Sequence, residues 1–375
     1  MRLGRILGID IRLDSSWFVI FVLVAWSLSV SYLPQAHPGW SVATYWVLGI
    51  ATSLLFFVSV LVHELAHSVV SGLQGEPVRD ITLFIFGGAS HLTREPARPR
   101  HELLMAVVGP LTSLALAGLF GAAWWLTLGT DNPLHVMFEW LARINLLLGI
   151  FNLIPGFPLD GGRVLRAVVW VGTGDLRRAT RVVSTLGELI AYLFMFWGVF
   201  QIFAGYWADG LWMAFIGWFL KGAATQGYEQ VVLQQILTGH TAREVMMTDC
   251  PHVPRRLTLD VVVDQMALPS GRRCFPVVED GQLIGLLTLH RISNVPPRER
   301  ATTRVEDVMI PRRALKTVSP DDGLETVMER MAQEDVNQFP VIADGRLEGM
   351  VARDSLLSFI QLHSANRSAV ERSAT

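Results

Sequence analysis

Cysteine is nearly absent: the 375 residues contain two, Cys250 and Cys274. Two thiols, both in the polar C-terminal part, exclude a disulfide framework and a thiolate zinc site, and they read as ordinary reduced thiols. Charge is scarce too. Asp, Glu, Lys and Arg make up 17% of the chain against 51% hydrophobic residues, a balance displaced from soluble proteins towards membrane proteins. The formal net charge of −2 brings no basic excess, so nothing points to nucleic acid as a partner.

The apolar residues are gathered into stretches suited to crossing ~30 Å of hydrocarbon, which takes roughly 20 residues. They lie at Ser16–Leu33, Tyr45–Val70, Leu103–Leu128, Leu134–Ile154, Val183–Ala204 and Gly210–Ala224. Basic residues precede the first stretch as in a signal peptide. No small-residue cleavage pattern ends it, however, and it reads as a retained span. Six spans bring both termini to one side. Lys and Arg are missing from the loops around Pro34–Ser41, Gly129–Pro133 and Gly205–Asp209, whereas Arg2, Arg5, Arg12, Arg79, Arg94, Arg98, Arg100, Arg163, Arg166, Arg177, Arg178 and Arg181 occupy the other side. The positive-inside bias then predicts a multi-pass cell-membrane protein with both termini cytoplasmic. Trp124, Trp125, Trp207 and Trp212 read as interfacial anchors.

Between the second and third spans, Val78–Phe86 is rich in β-branched and aromatic residues and ends at Gly87-Gly88. This predicts a short β segment, a packed hairpin or one whose free edge accepts an extended peptide. From about Tyr228 the chain reads as a soluble domain with an internal repeat. Ala242–Met246 answers Val305–Met309, and Cys274–Leu287 answers Gln338–Val351, a period of about 64 residues. Each unit reads as helix, strand, turn at Asp280-Gly281 or Asp344-Gly345, strand, helix.

The ionisable residues of the apolar part concentrate in two places. His63-Glu64-Leu65-Ala66-His67 puts two imidazoles four residues apart, on one face of a helix, where both can hold one metal ion. Two neutral imidazoles and a carboxylate suit zinc, with a fourth position open to water and Glu64 beside it as base. A charge at bilayer depth costs at least ~2.5 kcal/mol unless compensated, so partners or a metal are required here. The third ligand should be an acid from another span. Asp160 fits, in Asn152–Arg163, where two prolines and three glycines must break the fourth helix. His101-Glu102 begins a similar pair, but Met105 stands at the second ligand position, so it reads as the polar start of a span. Ser90-His91 reads as a solvated loop.

The HELAH and NLIPGFPLDGGR motifs resemble the two signatures of the site-2 protease family, and the likeness extends over about Met1–Ala224. It implies an intramembrane zinc metalloprotease with one zinc ion held by His63, His67 and Asp160, Glu64 as catalytic base, and Asn152 near the substrate or oxyanion. The implied substrate is a membrane-spanning protein such as an anti-sigma factor. The C-terminal repeat resembles a tandem pair of CBS domains over roughly Thr241–Leu362, which implies a regulatory role, adenine nucleotide binding, or homodimerisation. In nucleotide-binding repeats a Thr/Ser-x-x-Asp follows the second strand. Thr288 with Arg291 and Ala352 with Ser355 depart from that pattern, leaving structural and sensory roles both open.

The expected fold is therefore a polytopic α-helical membrane protein of six transmembrane helices with a short β segment, plus a cytoplasmic α/β tandem CBS domain. The expected parts are residues 1–224, a linker 225–240, CBS repeats at 241–297 and 303–362, and a disordered tail 363–375. Two other functions compete with proteolysis: a CBS-regulated metal-ion transporter, since intramembrane acids and histidines can form an ion path, and a catalytically inactive membrane binding protein. Transporters tend to spread such groups over several spans, and the intact HExxH weighs against lost catalysis.

Overall fold

In the computed structural model the arginine-bearing N-terminus is a β-hairpin, more than a flank of the first span. Strands β1 (Arg2–Ile6) and β2 (Ile9–Leu13) meet at Leu7-Gly8, both at positive φ, 51° and 84°, the two-residue turn whose twist matches the strands it joins. The structure describes residues 1–76, 78–92, 96, 98–129, 132–279 and 281–373. Arg94 of the positive-inside pattern and Asp280 of the first repeat's turn lie outside them, as do the side chains of Arg79, Ser90 and His91.

The predicted β segment is the hairpin of β3 (Val78–Phe84) and β4 (Gly87–Leu92), and the four strands form one sheet in the order β1-β2-β3-β4. The free edge does not belong to Val78–Phe84. β3 is an inner strand, parallel to β2 and antiparallel to β4, and the outer strand on this side of the sheet is β4, its partner in the hairpin. The cause is burial: Ile11 and Ile81 are paired across β2 and β3, and both pack with Val60 in a closed core.

Long helices follow in the first of two units, Met1–Val231: α1 (Ser15–Ala36), α2 (Val42–Leu73), α3 (Pro99–Leu126), α4 (Pro133–Asn152), α5 (Asp160–Thr173), α6 (Leu176–Phe203) and α7 (Trp207–Leu237), the last running on into the second unit. Their starts follow local chemistry. Ser41, Asn132 and Asp175 accept hydrogen bonds from the first free N–H groups of α2, α4 and α6, and Pro99 and Pro133 begin α3 and α4, where a missing N–H costs nothing.

Among the described residues five helices are long and apolar enough to cross a membrane: α1, α2, α3, α4 and α6. The expectation of six is not met on that measure. The stretch Gly210–Ala224 lies in α7, where Asp209 and Lys221 bracket its apolar part and polar residues follow from Thr225. Large apolar side chains point outward along the spans, among them Val47, Leu119, Leu193 and Phe196, each more than half exposed. Hydrocarbon is the surrounding that such a surface suits.

The second unit, Val232–Thr375, carries the repeat. Strands β5 (Cys274–Glu279), β6 (Gln282–Thr288), β8 (Gln338–Ala343) and β9 (Arg346–Ala352) lie in the order β5-β6-β9-β8, and the short β7 (Ile310–Pro311) pairs with β6. Each hairpin buries the same positions. Phe275, Val277 and Leu287 in one repeat and Phe339, Val341 and Val351 in the other are fully buried. Helix α8 (Leu324–Gln333) packs Leu324, Val327 and Met331 on the second hairpin, and α9 (Arg353–Ser373) continues through residues expected as a tail.

Both cysteines are free. Burial pushes the Cys274 thiol up to about 12 and raises that of Cys250 as well. At pH 8 only about one Cys274 thiol in ten thousand is then the reactive thiolate. Iodoacetamide is expected to label the half-buried Cys250 first, and Cys274 only after unfolding, as read by the mass of the two peptides.

Candidate metal centre

Helix α2 delivers His63, Glu64 and His67. The four-residue spacing puts both imidazoles on one face, and their Nε2 atoms lie 3.1 Å apart. Asp160 Oδ2 completes the group, 3.1 Å from His63 Nε2 and 3.2 Å from His67 Nε2. These atoms form a nearly equilateral triangle. A tetrahedral zinc with bonds of about 2.0–2.1 Å to nitrogen and oxygen separates its ligands by about 3.3 Å, so the donor set and its size both fit three corners of such a site.

Each imidazole is also engaged from behind. His67 Nδ1 lies 2.6 Å from the Met105 carbonyl; a carbonyl can only accept, so Nδ1 carries a proton and Nε2 is the nitrogen left to face the centre. His63 Nδ1 lies 2.9 Å from Ser113 Oγ. Neither His63 nor His67 is more than 7% exposed.

Asp160 is brought in by the broken backbone after α4. That helix ends at Asn152, and α5 starts at Asp160 itself, where the positive end of the helix favours a carboxylate. The two glycines that follow are there for close approach. A Cβ on Gly161 would lie 2.3 Å from the Leu153 carbonyl oxygen, and one on Gly162 2.5 Å from the Gly156 carbonyl carbon. The loop therefore folds flat onto the first turn of α5.

Glu64, next to the first histidine, lines a cavity of about 560 Å³ with His63, His67, Asp160, Asn152 and Arg163. The roof is the β3–β4 turn, where Phe86 stacks on Phe219 of α7 with ring centroids 3.7 Å apart. Gly88 sits on Glu64: a Cβ there would come 2.3 Å from its Cγ. The Gly87-Gly88 pair, read as a turn signal, lies at the start of β4, just past the Ile85-Phe86 turn, and lets that strand lie against the acid. Asn152 lines the same cavity, with its Nδ2 donating to the Leu148 carbonyl at 3.0 Å. Trp212, read as an interfacial anchor, lines the cavity too.

Several residues at this centre had no counterpart in the motif reading. Glu102 stands in the first turn of α3, the polar start expected there, and is fully buried and ion-paired with Arg166 of α5, while His101 Nδ1 lies 3.1 Å from Glu76 Oε1. Ser113, Met105 and Gly109 were part of an apolar span. The available signal was periodic: Glu102, Met105, Gly109 and Ser113 follow one another at steps of three or four, one face of a helix.

Comparison with known proteins gives two families. The model for peptidase family M50 matches residues 51–130 and 130–195, and the model for the CBS domain matches 242–297 and 305–362. Rip3 of Mycobacterium tuberculosis, provisionally named a zinc metalloprotease, is 34% identical over 96% of this chain and 93% of its own length. Zinc metalloprotease MJ0392 of Methanocaldococcus jannaschii is 27% identical over 95% of each chain. Among solved structures, the site-2 protease from the same organism is 26% identical, covering 61% of this chain and 94% of its own, with a TM-score of 0.43.

Proposed function

Since the chain belongs to the M50 family of zinc metalloproteases, the site-2 proteases, and carries a CBS pair at its C-terminus, we propose that His63, His67 and Asp160 hold one zinc ion per chain and that Glu64 is the catalytic base. What carries this reading is the triangle of His63 Nε2, His67 Nε2 and Asp160 Oδ2, with both Nδ1 atoms engaged elsewhere and Glu64 in the same cavity. The chemistry supplied by a bound zinc is Lewis-acid activation of water and of the scissile carbonyl. Glu64 accepts the proton of the attacking water on its carboxylate and passes it to the leaving amine. Asn152, on the cavity wall, contacts the substrate backbone. The apolar walls of Phe84, Phe86 and Phe219 exclude bulk water and receive the side chains of a locally unwound segment, since an intact helix keeps its carbonyls bonded within itself.

The proposed substrate is the transmembrane segment of a single-pass membrane protein, such as an anti-sigma factor. The arginine distribution supports cytoplasmic termini, with α7 as the sixth crossing, and the CBS pair is proposed to regulate the protease through an adenine nucleotide or a second copy of the chain. The test is metal removal. Detergent-purified protein treated with 1,10-phenanthroline is expected to lose cleavage of a membrane-anchored reporter and regain it with added Zn²⁺ but not Mg²⁺. Cleavage that survives complete zinc removal would refute the reading.

A further inference from the structure

We propose that one face of α3 positions all three zinc ligands. Ser113 acts through His63, the Met105 carbonyl through His67, and Glu102 through Arg166 on the helix that begins with Asp160, while Gly109 leaves the space that the two imidazoles occupy. The inference rests on the reading of His63, His67 and Asp160 as zinc ligands.

The four residues are buried on one side of α3, at steps of three or four. From its N-terminal end, Glu102 is fully buried and paired with Arg166, which is itself 3% exposed and lies over the Phe157 ring at 5.1 Å. Phe157 belongs to the loop that leads to Asp160, so the pair fastens both the loop and the helix that set the carboxylate. A turn further along, the Met105 carbonyl accepts a hydrogen bond from His67 Nδ1. At Gly109 an added Cβ would lie 2.1 Å from His67 Nε2 and 2.7 Å from His63 Nε2, against two of the three proposed ligand atoms. Ser113, fully buried, then meets His63 Nδ1 at 2.9 Å. Pro110, following Gly109, leaves the Ala106 carbonyl without its helical donor.

A partner behind each ligand is what a metal site needs. Groups that bond the far nitrogen of a histidine select its tautomer and fix its ring, and groups that brace a carboxylate keep it aimed. Here a single rigid element supplies them. The proposed ligands come from α2 and α5, and α3 packs against both, so one helix braces donors that two others carry.

Zinc affinity of the full-length protein in detergent, measured by competition with a chromophoric chelator, and the visible spectrum of its Co²⁺ form test this. Wild-type protein that binds no zinc removes the reading on which the inference rests, and the inference with it. Given wild-type binding, Ser113→Ala and Glu102→Gln are each expected to weaken zinc about 10- to 100-fold and to alter the Co²⁺ bands, and Gly109→Ala to weaken it further. Gly118→Ala is the control, because a Cβ there meets nothing within 4 Å; it should bind as wild type, and an equal loss in it would reduce the effect to general helix damage and overturn the inference. Glu102→Gln and Gly109→Ala can fail to fold, but Ser113→Ala removes a single oxygen. Normal zinc affinity with an unchanged Co²⁺ spectrum in Ser113→Ala overturns the inference.

Discussion

Glu64→Gln is expected to keep zinc and to lose peptide cleavage by about 100- to 10,000-fold, the usual contribution of a general base. The substitution is nearly isosteric, so Gly88 still packs on the side chain and the ligand triangle is undisturbed, but an amide cannot take the proton of the attacking water. Two measurements on the same preparation check it: zinc per chain by atomic absorption, and cleavage rate of a membrane-anchored reporter. In cells, membranes of a Glu64→Gln strain should accumulate an uncut single-pass protein that wild type removes. The same variant separates the competing functions. A metal-ion transporter carrying this substitution would still move its ion across vesicle membranes, and surviving flux without any uncut substrate would favour transport.

Asp160→Ala is expected to act one step earlier, on the metal. It removes the oxygen that lies 3.1 and 3.2 Å from the two imidazoles, leaving two ligands on adjacent turns of α2. Zinc affinity should fall by about 1,000-fold or more, since a catalytic site holds its ion through three protein ligands, and cleavage should fall with it. Zinc in large excess is expected to recover part of the binding and little of the activity. If Asp160→Ala binds zinc as tightly as wild type, another acid is the third ligand. Asp160→Asn keeps the shape and loses the charge, so an intermediate affinity distinguishes charge from geometry.

The site was legible in the sequence to the extent that it is local. An i, i+4 pair of histidines is positioned by helix geometry alone, and a cluster of prolines and glycines announces a break whichever fold surrounds it. The β3–β4 hairpin was legible for the same reason, from β-branched residues and a glycine pair. The β1–β2 hairpin was hidden, because Arg2, Arg5 and Arg12 carry a membrane-orientation signal that masks strand alternation over so short a stretch. The pairing of β2 with β3 joins residues about seventy positions apart, Asp10 to Asp80, and no neighbour in the sequence encodes it.

The sequence by itself indicated the proposed donor residues, the metal that such donors suit, the apolar surroundings and the repeat of the C-terminal unit, since residue chemistry and short spacings carry all of these. The tertiary structure decided what stands behind the donors. Glu102 meets Arg166, Ser113 meets His63 and Gly88 lies on Glu64 because helices and strands distant in the chain pack together, and a small residue in an apolar span looks alike in sequence whether it faces lipid or a metal site. Only packing distinguishes Gly118, with open space beside it, from Gly109, whose missing side chain is the room in which the two histidines converge.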